Sequence, residues 1–206
     1  MPDDVARAPK IGVLALQGDF ALHAAALARC GATAVEVRKP DQLADLDGLI
    51  IPGGESTTLL KLIDAWGFVP TLEKFHADGK PIFGTCAGLI LLAREVSSPT
   101  QPSLGMIDIG VERNAYGRQR ESFETTGVAT VAGQDRPIEM VFIRAPRIRR
   151  AGPGVERLAE HDGNLVLAQQ GTVLVAAFHP ELTRDVTVHQ YFCDLVRSTR
   201  RSGSGA

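Results

Sequence analysis

Gly84-Thr85-Cys86-Ala87-Gly88 sets a cysteine between two glycines, directly after the apolar run Ile82-Phe83 and directly before Leu89-Ile90-Leu91-Leu92. This is the spacing of a nucleophile elbow, glycine-x-nucleophile-x-glycine, with cysteine in the place usually held by serine. The turn is tight, and side chains at the glycine positions would crowd the neighbouring strand and helix. Such an elbow lifts the sulfur above the C-terminal edge of a sheet, where open α/β sheets bind ligands. A helix starting at Ala87 would aim partial positive charge at the sulfur and favour the thiolate. The Ala87 N–H would also be available to an oxyanion. The plainer reading is a packing residue, since free cysteines are commonly buried; the elbow context weighs against it. Cys30 and Cys193 have no such context and read as packing residues.

A cysteine nucleophile needs an imidazole beside it. His179 follows the apolar run 173–178 and precedes Pro180, so it sits at a strand end. Glu181 is two positions on. In an extended segment residues i and i+2 point the same way, so Glu181 can accept from the ring nitrogen facing away from the thiol. Taken alone, His179 reads as a satisfied structural histidine. His23, His76 and His189 fall on expected helices and His161 in a turn, and none is assigned a role. Pro52-Gly53-Gly54-Glu55-Ser56 closes another apolar run and opens a helical one, a place for a second oxyanion donor. A Gly-Gly turn by itself is equally plain loop chemistry or a phosphate cradle, but no Walker lysine accompanies it.

The surrounding pattern supplies elements to hold these groups. Strands are expected at 11–18, 34–37, 48–52 and 81–84. Helices are expected at 20–30, from Ser56 as N-cap through Trp66, at 69–77 and at 87–95. Continuous apolar strands alternating with helices imply a parallel sheet covered on both faces. From residue 104 the character changes. Short β-rich segments at 104–112, 123–131 and 138–143 precede an antiparallel meander broken at His161-Asp162-Gly163-Asn164 and Gln170-Gly171. A helix over 185–199 closes one domain spanning 10–200, with loose tails at 1–9 and 201–206.

Composition narrows the class. A net charge of −2 and 44% hydrophobic residues suit a globular chain and give no reason to expect nucleic acid or a membrane surface as partner. Arg144, Arg147, Arg149 and Arg150 form the one basic cluster, read as a solvated face or, more sharply, a substrate or partner contact. Three widely spaced cysteines make no disulfide framework and no zinc pair, and the first residues carry no apolar signal core. The expectation is a cytoplasmic protein.

The strings LALQGD (14–19), IIPGGESTTL (50–59), GTCAGLILLA (84–93), VERNAYGRQ (111–119), VFIRAP (141–146) and FHPELT (178–183) occur in this order. Together they make the chain resemble the glutaminase subunit of pyridoxal 5′-phosphate synthase, among the class I, triad-type glutamine amidotransferases. PGG, GxCxG and HPE belong to the whole class; the longer strings are far more specific. The match runs from about residue 11 to residue 197, and the departures lie in the tails. The resemblance implies an α/β, three-layer, flavodoxin-like fold with a mostly parallel central sheet and a C-terminal antiparallel extension. It implies hydrolysis of L-glutamine by a Cys86, His179, Glu181 triad. Gly53, Gly54, Glu55, Arg113, Ile143 and Arg144 would bind substrate. Gly54, Ala87 and Gln17 would form the oxyanion hole, with Gln17 taking part in switching it. No metal or cofactor is implied. The partner is the synthase subunit, in a complex of twelve synthase subunits each carrying a glutaminase. An amidotransferase of another pathway, a binding module that has lost catalysis, and a protease-like relative remain the alternatives.

Overall fold

Four short apolar runs build the centre of the molecule because each is buried on both faces. The computed structural model describes residues 7–113 and 122–203; residues 1–6 and 204–206 of the expected tails, and Asn114 to Gln119 of the VERNAYGRQ string, lie outside the described residues. Strands β1 (Lys10–Leu14), β3 (Gly48–Ile51), β4 (Ile82–Thr85) and β12 (Val173–Ala176) are almost wholly inaccessible to solvent. With β2 (Thr33–Val37) they form a parallel array in the order β2-β1-β3-β4-β12. Their residues read as unbroken hydrophobic stretches because helices cover both sides of such a sheet. Those helices are α1 (Phe20–Arg29), α2 (Ser56–Ala65), α3 (Val69–Ala77), α4 (Ala87–Leu92) and α5 (Thr187–Gly203). No described helix is long and apolar enough to cross a membrane.

Beyond β12 the sheet turns antiparallel. It continues through β11 (Asn164–Gln170), β10 (Glu156–His161) and the hairpin β7 (Ser122–Val131) and β8 (Gln134–Ile143), giving nine strands among the described residues. The extension therefore takes its outer pair from the middle of the chain and only its inner strands from the C-terminal meander. Exposed and less exposed residues alternate over most of β7, as in a sheet with one wet face.

Several expectations need correction. The segment 87–95 is not all helix: α4 ends at Leu92, and Ala93–Ser97 turns into strand β5. With β6 (Ile107–Glu112) and β9 (Arg147–Ala151) it makes a separate three-stranded sheet. AREVS carries no period-2 signal, since its buried residues Ala93 and Val96 are three apart; its pairing with β6, through a register shift between Ala93 and Glu95, makes it a strand. The basic cluster lies partly on β9, where Arg150 pairs with Asp108 at 2.7 Å and with Glu95 at 3.1 Å, and Arg149 pairs with Glu112. The N-cap of α2 is Glu55 rather than Ser56; its carboxylate accepts from the N–H groups of Thr57 and Thr58. Residues 7–9 are tied down, with the Pro9 carbonyl accepting from Thr33 and Arg7 pairing with Asp47, and α5 extends to Gly203.

Candidate active site

The register of the parallel strands decides which side chains meet. Thr85 of β4 lies beside Ala176 of β12, so the residues that follow these two strands leave the sheet at the same edge. The Cys86 N–H donates to the Ala176 carbonyl at 2.9 Å, tying the elbow to the strand that delivers His179. The His179 N–H in turn donates to the carbonyl of Val141, at the end of β8. The loop after β3 arrives at the same edge with Gly53 and Gly54, as expected for the carboxyl end of a doubly wound sheet.

Cys86 has φ 48° and ψ −100°, a backbone conformation that non-glycine residues rarely adopt. Strain of this kind persists only where the surroundings impose it. Here the packing imposes it: a Cβ on Gly88 would lie 2.1 Å from the Ile51 carbonyl oxygen, and one on Gly84 would lie 2.7 Å from the Gly88 backbone. The two glycines let β3, β4 and α4 close on one another, and the cysteine between them takes the strained turn.

The His179 ring donates from Nδ1 to Glu181 Oε1 at 2.8 Å, which leaves Nε2 as the nitrogen available to the Cys86 sulfur. Burial works against charge on this imidazole. The neighbouring Cys86 and Glu181 outweigh it and push the pKa up to about 10. Glu181 reaches His179 differently from the sequence expectation. The strand stops at Ala176, and Pro180–Leu182 form a 3-10 turn, so the contact comes from a tight turn and not from i, i+2 alignment in a strand. Gly53 permits the approach of the neighbouring loop, since a Cβ there would stand 2.4 Å from His179 Cε1.

Cys86 and His179 open into a cavity of about 270 Å³. That is below the roughly 300–1,000 Å³ of drug-sized pockets and suits one small metabolite. Gly54, Glu55, Arg113, Ile143 and Arg144 line it, as do Gly18, Asp19, Ser56 and Ile90, which the sequence reading did not single out. Arg113 donates to Thr57 Oγ1 at 3.0 Å and stands 3.5 Å from Glu55. Burial pushes the Glu55 carboxyl up, but hydrogen bonds from Thr57 and Thr58 outweigh it and hold the pKa at about 2. The cavity wall thus carries a fixed anion beside a fixed cation. Gln17, Gly53 and Ala87 stand behind the lining. The Gln17 amide donates to the Glu55 carbonyl at 3.1 Å and packs on Gly54, whose φ is 137°. Ala87 is the first residue of α4, so its N–H is among those a helix leaves unpaired.

Two residues given no role in the sequence reading lie in the same network. His23 of α1 and His189 of α5 are fully buried, and His23 Nε2 is 3.4 Å from Glu181 Oε2. A histidine on the buried stripe of an amphipathic helix was the available signal.

Residues 13–198 match the SNO glutamine amidotransferase family. The chain is 51% identical over 191 residues to the pyridoxal 5′-phosphate synthase subunit PdxT of Niallia circulans, covering 93% of this chain and all of that one. It is 56% identical over 189 residues to the protein of the same name from Koribacter versatilis, covering 92% and 96%. Among solved structures, one described as a glutamine amidotransferase is similar with a TM-score of 0.83 at 50% identity, over 90% of this chain and 98% of the other. A putative GMP synthase component from Thermoplasma acidophilum shares the fold, with a TM-score of 0.70 at 17% identity over 96% and 98%.

Proposed function

The chain belongs to the SNO glutamine amidotransferase family, and on that premise we propose that it is the glutaminase subunit of a pyridoxal 5′-phosphate synthase. It hydrolyses L-glutamine to L-glutamate and ammonia, and the ammonia passes to a synthase subunit. One observation carries the reading: Cys86 and His179, the latter bonded to Glu181, open into the same small cavity as the Arg113–Glu55 pair. A free amino acid presents a carboxylate and an ammonium side by side. Arg113 offers its fork to the first, and Glu55, with Ile143 and Arg144 along the wall, faces the second.

The chemistry follows from these positions. The Cys86 sulfur, its proton held by His179, attacks the carboxamide carbon. The carbonyl becomes an oxyanion, received by N–H groups at Gly54 and Ala87. Gln17, packed on Gly54, governs the shape of that hole. When the C–N bond breaks, His179 gives its proton to the departing nitrogen and ammonia leaves. A γ-glutamyl thioester remains on Cys86. His179, now neutral, takes a proton from water; the hydroxide attacks the thioester carbon, and the sulfur leaves as thiolate. Glu181 holds the ring in the tautomer that both steps require. Protonated by bulk water, ammonia would lose its nucleophilicity, which favours a docked synthase subunit in the cytoplasm. We take the assembly to hold twelve copies of each kind of chain, and this chain to be one domain over 10–200.

The test is glutamate release from glutamine with and without the synthase subunit, with Cys86→Ala as the blank. Release that increases with the synthase and disappears in the variant is expected. Release indifferent to that synthase would assign the ammonia to another acceptor. No release from folded protein with a competent partner would overturn the enzyme reading.

A further inference from the structure

His23 lies on the buried stripe of α1 with Ala26 and Leu27, and His189 on that of α5 with Val188 and Phe192. Both imidazoles pack edge-on against Phe83. An apolar side chain would fill either position without the cost of burying ring nitrogens, so the polar atoms must find partners. They find each other: His23 Nδ1 is 2.9 Å from His189 Nε2. On its other edge, His23 Nε2 lies 3.3 Å from Thr85 Oγ1 and 3.4 Å from Glu181 Oε2.

The Thr85 hydroxyl can serve either tautomer of His23, so the Glu181 carboxylate selects the arrangement of protons. Burial, first of all, lowers the pKa of both rings, that of His23 well below 6.5 and that of His189 to about 4, so both are neutral at pH 7. A neutral imidazole has one N–H and one bare nitrogen. The Glu181 carboxylate can only accept, so a bare Nε2 facing it would set lone pair against lone pair. His23 therefore carries its proton on Nε2 and accepts at Nδ1. The donor to Nδ1 is His189 Nε2, which leaves His189 Nδ1 bare. That atom is buried without a hydrogen-bond partner among the described residues, the less costly place for a bare nitrogen than for an N–H. Glu181 Oε2 likewise has no hydrogen bond among the described residues; His23 Nε2, which bonds Thr85 Oγ1 at 3.3 Å, stands 3.4 Å from it.

We propose that His23, held from behind by His189, is a positioning residue: its Nε2–H fixes the second oxygen of Glu181 and thereby the plane in which the carboxylate holds His179. The inference rests on the glutaminase reading above. The titratable groups around Glu181 are His179 on its own turn, with Cys86 beyond it, and His23 on α1. Behind His23 stand His189 on α5, Asp185 and Arg29.

The experiment measures glutamate release against pH, with the full chain in complex with its synthase partner. His23→Leu is expected to lower kcat by about tenfold to a hundredfold, the size of one hydrogen bond to a charged group. KM should hold, because His23 does not touch the cavity. The acid limb of kcat/KM should move, because the donor facing the second carboxylate oxygen is gone. His23→Gln, whose amide can donate to the same oxygen, should restore most of kcat. An unchanged kcat and acid limb in His23→Leu, or a loss that Gln does not restore, would overturn the proposal. A second measurement needs no variant: nitrogen NMR of the wild-type histidines should find His23 neutral at pH 7 with its proton on Nε2. A proton on Nδ1 would overturn the proposal even if His23→Leu failed to fold. Wild-type protein that released no more glutamate than Cys86→Ala would sink the glutaminase reading instead, and the NMR result would still decide the arrangement of protons.

Discussion

The imidazole on one side of Glu181 holds an extra proton at neutral pH, and the two on the other side do not. All three are buried, and burial alone disfavours the charged form of each. What separates them is the partner. His179 lies between a carboxylate oxygen and a sulfur, at the edge of an open cavity. His23 and His189 face each other across the α1–α5 contact, where each would repel a proton on the other. One carboxylate thus borders a charged, strained, solvent-reachable region and a neutral, closed one. Burial makes an imidazole's pKa depend on its neighbours, and the neighbours then choose the direction.

The most severe way to break the contrast is to take the charge from its centre. Glu181→Gln keeps the shape but offers no carboxylate. His179 would lose the fixed anion and the enforced tautomer, and glutamate release should fall by about a thousandfold to ten-thousandfold. A loss below tenfold would mean that Cys86 alone governs the proton on His179.

The opposite shifts also predict opposite pH limits to stability. His179 has a raised pKa, so its contribution is fully present below about pH 6.5 and is lost as the pH rises through about 10. His189 has a lowered pKa. As the pH falls from 6.5 toward 4, the unfolded chain binds a proton that the native ring refuses, and stability declines by about 3 kcal/mol for this one group. Urea unfolding at pH 7 and pH 4 should show a shallower acid loss in His189→Leu than in the wild type. Equal slopes would mean that His189 is charged or solvated in the native state.

A smaller change sharpens the charged side alone. Gly53→Ala brings a methyl within 2.4 Å of His179 Cε1, so the ring must shift. A displacement of this order at reacting groups costs about a hundredfold in rate. The acid limb attributed to the His23 side should stay in place, and glutamate release across the pH range checks both points.

Much of this was legible along the chain. The buried strands β1, β3, β4 and β12 are short apolar runs, and no other element packs such runs as simply as a parallel sheet. Cys86 was legible because an elbow needs glycines at fixed spacing within five residues, and His179 because a strand end beside proline is a local feature. The turn to strand at Ala93 was missed because a helix and a strand can share a short apolar start, and only the pairing of β5 with β6 settles it. Glu55 was missed as the cap of α2 because Ser56 satisfies the same local rule.

The sequence by itself determined the four buried central strands and placed a cysteine, a histidine and a carboxylate at strand ends, because those properties rest on side-chain type and short-range spacing. Only the tertiary structure decided what stands behind the carboxylate. His23 and His189 are 166 residues apart. The one local signal at either is a histidine on the buried stripe of its helix, and that signal does not name its partner. Their meeting under Glu181 depends on how α1 and α5 pack against the same face of the sheet, and the states of their protons depend on that meeting.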